Sequence, residues 1–183
     1  LTILALTTPS LVLFGWGWKS MRTYTLVVAA ISLLAIGLYG GVLERQDTNF
    51  FLKFLISSKS AIMWMSALFV MATAAYYLGL ALRSPFTEKV GSALTWSASA
   101  MGLAGLMVRW RESYLLGDDI GHIPVSNLYE VFILFAVITG LLYLFYEQRY
   151  RPRAMGAFVL TVISASVGFL LWYTFDRGAD EIQ

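Results

Sequence analysis

The side chains able to do chemistry are few, and most of them fall in one stretch. Residues 109–130 read RWRESYLLGDDIGHIPVSNLYE. They hold Arg109 and Arg111, four acids, the only histidine of the chain, His122, and Ser126 and Asn127 just ahead of a long apolar run. Gly117, Gly121 and Pro124 shape the stretch as a loop. Glu130 stands out within it. A carboxylate just inside a membrane costs a few kcal/mol unless it is paired or hydrated. Asn127 and Glu130 are three apart and share a helix face. Arg109 and Arg111 close the preceding apolar run at the same face, so an Arg109–Glu130 or Arg111–Glu130 contact is expected. The plainer role for this group is a helix start, with Ser126 as N-cap and Glu130 charging the first turn. His122 lies in the loop, where an imidazole can ligate iron, relay a proton or hydrogen-bond a carbonyl. Asp118 and Asp119 stand close enough in sequence to orient it.

Much chemistry is excluded by composition. There is no cysteine, which removes disulfides, thiolate metal sites, CxxC redox chemistry and the CxxCH attachment of a c-type haem. A single histidine forbids a multi-histidine metal site within the chain and leaves at most one imidazole for an iron. The net charge is +2 over 183 residues with no basic stripe, so nucleic acid is not an expected partner.

The elements that must position these residues are membrane helices. Hydrophobic residues make up 58% of the chain and charged ones 13%, and the mean hydropathy is +0.70. A soluble domain has about a quarter of its residues charged. Crossing the hydrocarbon core takes about 20 apolar residues. Five windows qualify: 24–43, 61–82, 90–108, 127–146 and 155–175. Four of them contain no charged residue, and 127–146 contains only Glu130. Residues 1–18 are also apolar, broken by Pro9, and leave a sixth span open. Residues 48–58, TNFFLKFLISS, are too short to cross and suit a helix lying in the interface. The expected fold is therefore all-α: a polytopic transmembrane bundle of five spans, or six if 1–18 also crosses, forming one membrane domain with a short interfacial helix. Ala93 and Ser97, and Ala98 and Gly102, form small-residue pairs four apart that suit close helix packing in lipid.

Orientation follows from the loops. Placing the N-terminal side inside puts seven basic residues there against six outside, nearly a tie. The cluster Arg149, Arg151 and Arg153 is the strongest local signal and favours an inner position for its loop. Loop 109–126 and the C-terminus are then expected on the outer, periplasmic side of a bacterial inner membrane.

From Arg109 onward the chain resembles a family. RWRESYLLGDDIGHIPVSNLYEVFILF is similar to the cytochrome c assembly proteins of the CcsA/ResC type, the haem-handling half of the bacterial and chloroplast System II synthase. GHIPVSNLYE is its most specific part. LERQDTNFFLKFLISSKSA and GAFVLTVISASVGFLLWYT also look like the proteobacterial members, and the resemblance spans about 38–183. It implies delivery of haem to apocytochrome c outside the membrane, with thioether attachment and a ResB-type membrane partner. It makes haem the implied cofactor. His122, Arg109 and Arg111 would lie in the haem vicinity, the arginines pairing with propionates. Ser126, Asn127, Tyr129 and Glu130 are motif positions. The family's tryptophan-rich WGxxWxWD loop and its flanking histidines are not among these residues, and GWGW at 15–18 lacks the following Asp. The chain is therefore expected to be an N-terminal portion of a longer protein. Two readings compete with haem delivery: a non-enzymatic scaffold for a membrane partner, and a small-solute or proton pathway around Glu130.

Overall fold

The structure, a computed structural model, describes residues 17–117, 123–150 and 154–177. All regular structure among them is helical. Helix α1 (Lys19–Tyr39) stops at Gly40, whose φ of 54° is left-handed and is followed by Gly41 at 86°. That backbone conformation favours glycine, and a Cβ on Gly40 would only displace the exposed Arg45 guanidinium. A single turn, α2 (Arg45–Thr48), leads to Asn49. The Asn49 side-chain oxygen accepts from the Phe51 and Leu52 backbone N–H groups at 3.0 and 3.4 Å. That opens a π-helical turn at Leu52–Ile56.

The next helices carry conventional starts. Ser57 caps α3 (Ser58–Leu82), accepting from the Ser60 N–H at 3.3 Å. Ser84 caps α4 (Pro85–Leu116), which begins on a proline, where no backbone donor is lost. Helices α5 (Leu128–Tyr150) and α6 (Ala154–Arg177) complete the chain. Helix α3 packs on α4 and α6, α4 also on α5 and α1, and α5 on α6. The main core is Ile62, Met65, Phe69 and Tyr76 of α3 against Ile133, Val137 and Leu160, Ile163 of α5 and α6.

Large apolar side chains point outward along the helices: Leu33, Met71, Leu142 and Phe158 are all more than half exposed. Such a surface on helices of this length belongs in lipid. Four helices among the described residues, α1, α3, α5 and α6, are long and apolar enough to cross a membrane, and the chain is a multi-pass membrane protein. The fifth window, 90–108, is not among the four. It lies inside α4, whose 32 residues span about 48 Å. Its Ser, Thr and Gly residues dilute the hydropathy and instead allow close packing. Gly102 shows how close: a Cβ there would lie 2.5 Å from Met65 Sδ and 2.7 Å from Val137. Ala98 and Gly102 are buried as expected, whereas Ala93 and Ser97 are exposed. Residues 1–16, with the possible sixth span, lie outside the described residues.

The 48–58 segment departs from a continuous interfacial helix. It is broken at Asn49 because the side chain there takes the N–H groups of the following turn. Its surface is still interfacial in kind, with Phe50, Phe51 and Phe54 exposed and Leu52 fully buried. The 109–126 loop is also shorter than expected, since α4 continues through 116 and ends before Gly117. RWRESYLL contains nothing that breaks a helix, and two of its charged side chains, Arg109 and Glu112, find partners on neighbouring elements.

Candidate functional site

Two buried ionic groups sit where the end of α4 meets the start of α5. Arg109 and Glu130 are 1% and 4% exposed. Arg109 Nε donates to Glu130 Oε1 at 2.8 Å. The other carboxylate oxygen accepts from the Ser126 backbone N–H at 2.9 Å and its hydroxyl at 3.1 Å. The expected Arg109–Glu130 contact is present, and Arg111 is not its partner. A buried charge is tolerable only when paired and when its remaining lone pairs are filled, and Glu130 meets both conditions. The guanidinium also lies over the Tyr129 ring, 5.2 Å from its centroid.

The cap differs from the expected one. The helix begins at Leu128, and Asn127 Oδ1 accepts from the Glu130 N–H at 3.0 Å. Asn127, rather than Ser126, is the N-cap, which makes Glu130 the third helical residue. Ser126 is engaged by the carboxylate itself. The result resembles a capping box displaced by one residue, with the acid reaching back past the cap.

One turn further along α4, Glu112 is 3% exposed. Its Oε1 accepts from the Tyr39 hydroxyl and from the Ser58 N–H at 3.1 Å, and its Oε2 from the Ser58 hydroxyl. Glu112 thus joins the end of α1, the start of α3 and the end of α4. One signal could have found it, its position three residues after Arg109; Tyr39 and Ser58 carry none. At the opposite membrane face the Tyr76 hydroxyl donates to the buried Glu147 carboxylate. There Trp18 Nε1 donates to Gln148, which in turn donates to the Ser20 hydroxyl at 3.0 Å. These contacts tie α1, α3 and α5 together at that end.

Of the site residues expected from sequence, Arg109, Ser126, Asn127, Tyr129 and Glu130 converge on one corner. Arg111 is exposed on the neighbouring face of α4. Beside it Trp110 and Tyr114, one turn apart, are 39% and 42% exposed. Arg111 forms no ion pair among the described residues. Arg109 is turned inward, with its Nε committed to Glu130. His122, with Asp118 and Asp119, lies outside the described residues, as do Arg151 and Arg153. Among the described residues no group of three or more His, Cys, Asp or Glu is placed to hold a metal. Compared with family models, curated proteins and solved structures, the chain gives no match.

Proposed function

We propose that this chain is a membrane subunit of the machinery that delivers haem to apocytochrome c, acting at the face that bears the Arg109–Glu130 pair. The reading rests on the resemblance of 109–130 to the CcsA/ResC-type assembly proteins. One observation carries it further. Within GHIPVSNLYE, the stretch that makes the resemblance specific, Ser126, Asn127 and Glu130 join Arg109 in one hydrogen-bonded corner whose ion pair is buried. A rigid corner beside the exposed Trp110, Arg111 and Tyr114 suits a surface that receives a planar ligand. In this reading Arg111 holds a propionate and His122 supplies an imidazole. The chain crosses a bacterial inner membrane five times, α4 included, with this corner on the outer side. A ResB-type subunit covers part of the exposed apolar surface, and apocytochrome c docks from outside.

The test is a pyridine haemochrome assay and Soret spectrum of the chain, purified in detergent after haem-replete expression. Haem near one per chain, with a band displaced in His122→Ala, is the expected result. Haem-free protein after loading with free haemin would overturn a haem site in this chain. The scaffold reading gains from a different observation, the broad outward apolar surface. It predicts no haem and stoichiometric recovery with a second membrane subunit.

A further inference from the structure

A cleft of about 350 Å³ separates the π-helical turn from α3, lined by Lys53, Phe54, Ser60, Met63, Trp64 and Ala67. Its polarity is graded. Lys53 and Ser60 stand at the mouth near the α3 N-terminus, while Met63 and Ala67 line the wall deeper along the helix. Ser60 to Ala67 rises about 10 Å, comparable to the step from phosphate to upper acyl chain. The mouth offers one unspent polar group. The Ser60 hydroxyl donates to the Lys53 carbonyl at 2.6 Å, and Trp64 Nε1 donates to the Phe54 carbonyl at 2.9 Å. Lys53 is exposed, forms no ion pair among the described residues, and has its ammonium 5.7 Å from the Phe54 ring centroid. The two side-chain bonds hold the π turn against α3, so the cleft is a fixed feature of the fold. Exposed Phe50, Phe51 and Phe54 place the turn at the depth where headgroups meet chains.

We propose that this cleft binds one anionic phospholipid, its phosphate on Lys53 and an acyl chain along Met63 and Ala67. Charge complementarity selects the occupant, since a wholly apolar partner would leave the ammonium unused. The proposal does not depend on the haem reading.

The test is native mass spectrometry of the chain after titration with palmitoyl-oleoyl phosphatidylglycerol or phosphatidylcholine in mild detergent. One phosphatidylglycerol should be retained about fivefold more tightly than phosphatidylcholine, the gain expected of a single basic residue near the surface. Lys53→Gln should erase that preference. Ala67→Phe, which fills the chain seat from an exposed position, should reduce retention of both lipids. Equal retention of the two lipids, or a preference unchanged in Lys53→Gln, overturns the proposal. So does a dimer, lost in Ala67→Phe, in place of bound lipid. Unchanged helical circular dichroism identifies the variants as folded, and both alter exposed side chains.

Discussion

Arg109 and Glu112 stand one turn apart on α4, both buried, and each is held by a different part of the chain. Arg109 reaches forward to Glu130 at the start of α5, while Glu112 is gripped by Tyr39 and Ser58 from earlier helices. The end of α4 is therefore the point through which the 40–58 segment and the 123–130 segment are fixed to one another. The fold needs this because both segments lie where the helices end and their terminal backbone groups need partners outside the helix.

The first prediction concerns the pair. Arg109→Leu alone leaves the Glu130 charge buried with only the Ser126 donors, and should cost about 3–5 kcal/mol. Glu130→Leu takes from the buried guanidinium the carboxylate that its Nε meets, and should also be destabilising. The double variant removes both charges and should recover most of the loss. Thermal unfolding of detergent-purified protein by fluorescence-detected size exclusion measures this. Additive losses in the double variant would show that the two side chains act separately.

Glu112 gives a prediction of a different kind. Tyr39→Phe removes one donor to a buried carboxylate and should cost about 1.5–3 kcal/mol. Because Glu112 also holds the Ser58 N–H, Glu112→Ala should loosen the start of α3 and the π turn more than the rest of the bundle. Hydrogen exchange should rise across 52–62 and stay nearly unchanged across 133–144. Uniform acceleration over both segments would mean that Glu112 supports the whole bundle rather than this junction.

The membrane character and the Arg109–Glu130 contact were both legible in the sequence, and for the same reason. Apolar runs with a lone charge force a partner on that charge, and Arg109 and Arg111 end the run that directly precedes Glu130 at the same face. Other features were not legible because they depend on contacts between distant elements. The Tyr39–Glu112 and Tyr76–Glu147 bonds join residues 73 and 71 positions apart. Asn127 displaced Ser126 as cap because both side chains can serve, and the choice turned on which one Glu130 recruits. Helix α4 was legible as an apolar run with a close-packing Ala98–Gly102 pair, but its extension through 116 was not. Its small residues lower the hydropathy of 90–108, and these same residues let α3 and α5 approach it.

That approach supplies the third prediction. Gly102 faces Met65 and Val137 with no room for a methyl group. Gly102→Ala should destabilise by about 1–3 kcal/mol through overpacking, although alanine is the better helix former by about 1 kcal/mol. Pairing it with Val137→Ala should restore part of the loss, because the smaller side chain vacates one of the two contacts. Gly168 provides the control. It lies on α6 with nothing within 4 Å of a built Cβ, so Gly168→Ala should be neutral or slightly stabilising. A loss at Gly168 equal to that at Gly102 would mean that glycine flexibility, rather than close packing, is what these helices require.

The last prediction tests the proposed ligand face through Arg111. This guanidinium is exposed and contributes nothing to the buried corner, so Arg111→Gln should leave thermal stability within about 0.5 kcal/mol of the parent. If it holds a haem propionate, the same change removes a charge-assisted hydrogen bond and should weaken haemin binding about tenfold or more. Arg111→Lys keeps the charge but loses the bidentate fork, so its affinity should fall between the two. Titration of detergent-solubilised protein followed at the Soret band reads all three. Because Arg109 is buried and committed to Glu130, Arg109→Gln should reduce binding only together with folding. Equal haemin affinity in the parent and Arg111→Gln would remove this face of α4 from the binding surface and leave the corner with a structural role alone.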